Sequence, residues 1–162
     1  MSLVVLVLVV AAALVFFTPL GERPMSALFP VGDPPVPEPE ALDTSGARNS
    51  YLVCPDGRCA RPHGNSPVFD VPVDRLCTAW DEAIAGEARV SLRGESGPQR
   101  EYVQRTPLFR FPDLITVRFV PVSESRSSVI VYSRSVYGIS DLGTNRKRVN
   151  RWLGKLSGHV AR

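Results

Sequence analysis

The sequence predicts an α+β domain, with two helices on one face of an antiparallel sheet of four or five strands, preceded by one N-terminal transmembrane helix. Three observations carry that expectation. An unbroken apolar run opens the chain, two later stretches repeat apolar residues at a helical period, and four runs between them read as strands joined by short, turn-rich connections. With 162 residues, 44% hydrophobic and 22% charged, there is room for one compact domain beside a targeting segment, and not for two.

The apolar run extends from Leu3 to Phe17. Continued through Thr18 and Pro19 to Leu20, it approaches the roughly 20 residues that cross about 30 Å of hydrocarbon. A cleaved signal peptide is the rival reading, but it wants a positive start and a small-x-small cleavage site. Ala11 to Ala13 lie mid-run, and Met25-Ser26-Ala27 places a large residue where a small one is needed. Residues 1–20 are therefore expected to be an uncleaved anchor, meeting the membrane through residues 3–20. The flanks offer only the Met1 amine and Arg23, so charge does not set its orientation. Residues 21–46 contain six prolines and no apolar period, the composition of an extended, poorly packed tether. The folded domain is expected over 47–162.

Within it, Val73, Leu76, Cys77, Trp80 and Ile84 share one helical face, with Pro72 suited to the start and Gly86 to the end. Strands are expected over 88–93, 100–106, 114–122 and 127–136, and a shorter one over 66–71; short connections favour antiparallel pairing. The last helix should run from Leu142 to His159, opening after Ser140 and Asp141, both good capping residues. At 100° per residue, Leu142, Val149, Trp152, Leu153 and Leu156 form an apolar stripe, with Lys147, Arg148, Arg151 and Lys155 opposite.

Charge is distributed unevenly. After Glu40 there are 18 basic and 12 acidic residues, before Ala41 one and four, so the domain carries an excess of about six positive charges. That permits an anionic partner but falls short of a dedicated nucleic-acid binder, and nucleic acid is not the expected partner. The same angular reading puts Asn145 and Arg146 within about 60° of the stripe centre, against the sheet. With Asp141 they form either a capping and bracing network or part of a polar pocket for an anion. Along the strands Arg118 and Arg134 recur. Arg118 alternates away from Ile115, Val117 and Phe119, so it decorates the face opposite the helices, as a solvated residue or as part of a ligand surface.

Cys54 and Cys59 bracket Pro-Asp-Gly-Arg and can close a short disulfide in an oxidising compartment. His63 could add a third zinc ligand, but a closed structural site wants four, so no metal is expected. Cys77 reads as a small buried hydrophobe. No phosphate loop, zinc-protease or nucleophile-elbow pattern occurs, no cofactor is implied, and no histidine is placed to activate Ser133, Ser135 or Ser140.

The motifs Tyr102-Val-Gln-Arg-Thr-Pro-Leu-Phe-Arg-Phe-Pro-Asp113, Tyr132-Ser-Arg-Ser135 and Gly138-x-Ser-Asp-Leu-Gly-x-Asn-Arg-x-Arg148 resemble the domain of unknown function 1499 family. Asn49-Ser-Tyr-Leu-Val-Cys-Pro-Asp-Gly-x-Cys59 is similar to the opening motif of its proteobacterial, membrane-anchored branch. The resemblance implies a bacterial envelope protein without an assigned activity or catalytic residues. The expected placement is single-pass in the bacterial inner membrane, with the domain facing the periplasm. The expected role is a binding or structural module for an anionic envelope component or a protein partner, using Arg118, Arg134, Asp141, Asn145 and Arg146. The alternative is a hydrolase-like enzyme working in a polar pocket around Arg134, Asp141 and Arg146.

Overall fold

The computed structural model describes residues 2–17 and 27–161. The N-terminal apolar run forms α1, Leu3–Phe17, whose 15 residues are apolar on every side. At 1.5 Å per residue such a helix is about 22 Å long, short of the hydrocarbon thickness. Among the described residues no helix is long and apolar enough to cross a membrane. The expected transmembrane helix is corrected accordingly, and with it the single-pass inner-membrane placement. Apolar composition had been counted as length, and the Thr18 to Leu20 extension on which that count relied lies outside the described residues.

The domain is α+β, but its sheet is larger than expected and mixed. It has seven strands: β1 (Ser50–Cys54), β2 (Gly64–Asn65), β3 (Val68–Phe69), β4 (Val90–Ser96), β5 (Gln99–Arg105), β6 (Pro112–Pro121) and β7 (Ser127–Ser135). The order is β2-β1-β7-β6-β5-β4, with β3 pairing β7 beside β1. The expectation of four or five antiparallel strands is corrected in two respects. β1 enters the sheet next to β7, and β2 joins β1 in parallel, Val53 opposite Gly64. β3 falls within the short strand expected over 66–71, whereas the two residues of β2 have no period to detect, and Ser50–Cys54 is defined by its long-range partner β7 rather than by its own pattern. A disulfide joins Cys54 and Cys59, a covalent link that persists in oxidising compartments.

Two further helices, α2 (Val73–Ile84) and α3 (Thr144–Val160), lie on one face of the sheet. The reason is periodic. Leu76, Trp80 and Ile84 from α2 and Val149, Trp152 and Leu156 from α3 meet Ile115, Val117, Phe119, Val129 and Val131, which alternate inward along β6 and β7. Trp80 and Trp152 pack edge-to-face at 5.9 Å, and the Trp80 indole N–H donates to the Tyr102 hydroxyl at 3.1 Å. Trimming either tryptophan to alanine should remove about 3–5 kcal/mol.

The opposite face carries a smaller core of Leu52, Cys54, Val120 and Ile130, flanked by Leu42 and Cys59. Residues 27–46 run along this face with one 3-10 turn at Pro39–Ala41, and Pro39 is buried there. They were expected as an unpacked tether. Beyond the helical Ala27 and Leu28, the prolines keep this stretch from forming a regular α-helix, but they do not prevent an extended chain from being held by donors on the sheet. The first nine residues after α1, 18–26, lie outside the described residues.

Candidate functional site

α3 begins where β5 ends and β6 starts, and a set of polar side chains is buried at that junction. Asp141 precedes the helix. Its carboxylate accepts the Gly143 N–H at 3.0 Å and the Asn145 N–H at 2.7 Å, satisfying donors that the first turn leaves open. Asn145 is fully buried. Its Nδ2 donates to the Asn49 carbonyl at 3.0 Å, and its Oδ1 accepts from Ser133 Oγ and Arg148 Nη1, both at 2.6 Å. Arg148, 3% exposed, donates also to Ser133 Oγ at 2.8 Å and to Gln104 Oε1, and it pairs with Asp113 at 2.5 Å. Gln104 and Asp113 are register partners on β5 and β6, so the sheet presents two acceptors side by side to one guanidinium. A buried arginine is tolerable only with such pairing.

Outside this knot the surface opens into a cleft of about 230 Å³ lined by Arg89, Arg105, Thr106, Thr144, Lys147 and Arg151, with Arg148 and Gln104 also in its wall. None of its described lining residues is acidic. The nearby carboxylates hold cations from outside that lining: Asp113 pairs with Arg148, and Glu87 with Arg151 at 2.7 Å and Lys155 at 2.6 Å. Burial pushes the Glu87 carboxyl up, but hydrogen bonds from Arg151 and Lys155 outweigh it and hold the group at about 2. The Trp152 N–H also favours that charge, yet it is buried without completing a hydrogen bond. A neighbouring cavity of about 160 Å³ shares Thr106 and Thr144 with the cleft and adds Asp113, Ser135, Tyr137 and Asp141.

Backbone strain gathers at the same end. Among the described residues three non-glycines have left-handed φ: Arg89 at 58°, Arg110 at 57° and Leu142 at 52°. Arg89 lines the cleft, Leu142 lines the neighbouring cavity, and Arg110 lies in the turn whose Thr106 joins the two. Each such residue costs about 1–3 kcal/mol, and strain of this kind persists where the surroundings impose it, often at sites of function.

Of the five candidate residues, Arg118 lies on the face opposite the helices, as its alternation predicts, and the other four do not share one site. Asp141 and Asn145 meet at the start of α3. Arg146 is exposed, its guanidinium 6.0 Å from the centre of the Tyr51 ring. Arg118 and Arg134 lie on the opposite face of the sheet, where Arg118 pairs with Glu38 at 2.7 Å and Glu40 at 2.9 Å. The inward arginine of α3 is Arg148, which the angular reading had placed outward. Leu142, 89% exposed, precedes the helix, but leaving it out turns the stripe centre by only about 6°, so the angle alone does not bring Arg148 inward; Gln104 and Asp113 on the sheet do. The sequence did contain a corrective signal, because Arg148 stands three residues from Asn145 and four from Trp152. His63 accepts the Leu52 N–H at Nδ1 and stacks on Tyr51, and His159 bonds the Lys155 carbonyl of its own helix.

No curated protein matches the sequence. Among solved structures, the chain is similar to that of TTHA0849 from Thermus thermophilus, at 11% identity over 69% of this chain and 97% of that one. The TM-score is 0.35, too low to argue from. The profile of the family described as "Protein of unknown function (DUF1499)" matches residues 68–156, a stretch that holds every residue lining the basic cleft. With more than half of its 162 residues matched, the chain belongs to the DUF1499 family.

Proposed function

We propose that the domain is a binding module that captures a small anionic ligand, a carboxylate or phosphate, in the cleft between the end of β5 and the start of α3. The observation that carries this reading is the convergence of Arg89, Lys147, Arg148 and Arg151 on one concavity without a lining carboxylate. Arg148 and Arg151 are already paired with Asp113 and Glu87, which leaves Arg89 and Lys147 to make charge-assisted hydrogen bonds to an anion. Buried Arg148 is fixed by Asp113, Asn145, Ser133 and Gln104, so the wall of the cleft is preorganised. Lys147 is exposed and free to reach over a ligand.

The anionic-ligand reading of the sequence is thus kept in kind and moved in place, away from Arg118, Arg134 and Arg146. The hydrolase alternative finds no favouring observation: Asp141 is engaged as a helix cap, and neither Arg134 nor Arg146 lines the cavity that Asp141 does. Titration calorimetry at low salt, with phenyl phosphate and with succinate, tests the proposal. Binding should weaken as salt rises and fall about tenfold in Lys147→Glu, the scale of one lost charge-assisted bond. Absence of heat with both probes, or an affinity indifferent to Lys147→Glu, would sink it.

A further inference from the structure

The second face of the sheet is bound to the chain's own residues 28–40 in an unusually one-sided way. Among the described residues, each polar contact between this strap and the body of the domain has its donor on the body and its acceptor on the strap. Arg105 donates to the Phe29 carbonyl at 3.1 Å, and Tyr137 donates to the Pro30 carbonyl at 2.7 Å. Arg93, carried on the irregular stretch between Leu92 and Gly94 in β4, holds Asp33 and the Pro34 carbonyl. Arg118 holds Glu38 and Glu40, and the Ala60 N–H donates to the Glu40 carbonyl at 3.2 Å. At one end Phe29 sits edge-on to Phe111 at 4.5 Å and to Tyr137 at 5.6 Å.

Apart from the Glu101 carboxylate in the cavity beneath it, the polar groups this surface turns to the strap are donors, and such a surface does not suit a β-strand, which brings N–H groups needing acceptors of their own. It suits a segment whose N–H groups are removed by proline and whose side chains are acidic. The strap fits loosely: a cavity of about 340 Å³ remains between Asp33 to Val36 and the sheet residues Arg93, Gly94 and Glu101. The side chain of Arg134, half-buried on the same face, feels the Glu101 carboxylate but completes no hydrogen bond or close ion pair among the described residues. We infer that this face is a recognition surface for an extended, acidic, proline-containing peptide segment of a partner protein, which residues 28–40 occupy as a tethered competitor.

The test uses the full chain carrying Phe29→Ala, Asp33→Asn, Glu38→Gln and Glu40→Gln, which loosens the strap, and a fluorescent synthetic peptide of residues 27–42. Fluorescence anisotropy should show binding to the loosened chain at least tenfold tighter than to the wild type. That binding should weaken with salt, should be lost when Arg118→Ala is added, and should not occur with a scrambled peptide of equal composition. Absence of binding to the loosened chain, equal binding by both chains, equal binding of the scrambled peptide, or indifference to Arg118→Ala overturns the inference. If the loosened chain lacks the wild-type near-ultraviolet signal of Trp80 and Trp152, a resonance titration of the wild type with excess peptide decides. Shifts confined to Arg93, Arg118, Phe111 and Tyr137 support the surface, and their absence overturns it.

Discussion

The two faces of the sheet are covered by different means. On one, α2 and α3 bring periodic apolar side chains into a close-packed core and bury a fully paired arginine, Arg148. On the other, a proline-rich strap is held by arginines reaching from the strands, over a small core and a cavity. The first arrangement stabilises through removal of apolar surface from water and through a satisfied polar knot; the second depends on partly exposed ion pairs. The same residue type therefore has unequal weight on the two sides. Arg148 and Arg118 both bind carboxylates, but the Asp113 side chain is 3% exposed and that of Glu38 71%.

The sharpest test of this contrast is Arg148→Ala. It leaves Asp113 buried without its cation and should cost about 3–5 kcal/mol in urea unfolding. A loss near that of a surface site would break the distinction. Next, reduction of Cys54–Cys59 on the strap side releases a five-residue loop constraint, worth about 2 kcal/mol by loop entropy, and should lower the melting temperature under reductant. Arg118→Ala should cost no more than about 1 kcal/mol, and that loss should shrink in high salt. Strap cleavage by a protease should accelerate in this variant before global unfolding does.

Two carboxylates sharpen the comparison through pH. Glu87, on the helix side, is held at about 2, below the ordinary 4.5, so its contribution is present above pH 4.5 and is lost as pH falls towards 2. Glu87→Gln should flatten stability over that window. Glu101, under the strap, is pushed upward by burial, against the hydrogen bond from Thr116 and the charges of Arg93, Arg134 and Arg118. Its sign is opposite: the contribution is present below the ordinary carboxylate value and is lost as pH rises through the raised one. Glu101→Gln should therefore raise the melting temperature slightly at neutral pH, the smallest effect of the series, and a fall there would show the carboxylate to be stabilising instead.

Much of the framework was legible in the chain. Val73, Leu76, Trp80 and Ile84 announce α2, and the four expected strand runs lie within about three residues of β4 to β7, because α2 repeats its apolar residues along itself and glycine- and proline-rich turns bound the strands. Ser140 and Asp141 marked the approach to α3, which begins at Thr144, two residues later than expected, with Asp141 accepting the Gly143 and Asn145 N–H groups. The candidate site was legible only in part. Asn145 faces inward as its angle suggested, but Lys147, Arg148 and Arg151 were placed opposite the apolar stripe, whereas all three line the cleft. No local pattern says that Gln104 and Asp113 would stand ready for Arg148, since these residues are 44 and 35 positions away along the chain.

What the sequence by itself determined is whatever the next few residues can enforce: the period of a helix, the alternation of a strand, the turn that lets Cys54 reach Cys59. What only the tertiary structure decided is which of many arginines is buried, that β1 and β2 extend the sheet, and that an acidic, proline-rich stretch lies down on its second face. The reason is that burial and pairing depend on partners tens of residues distant. An arginine has the same local sequence whether a carboxylate awaits it across the sheet or only water does.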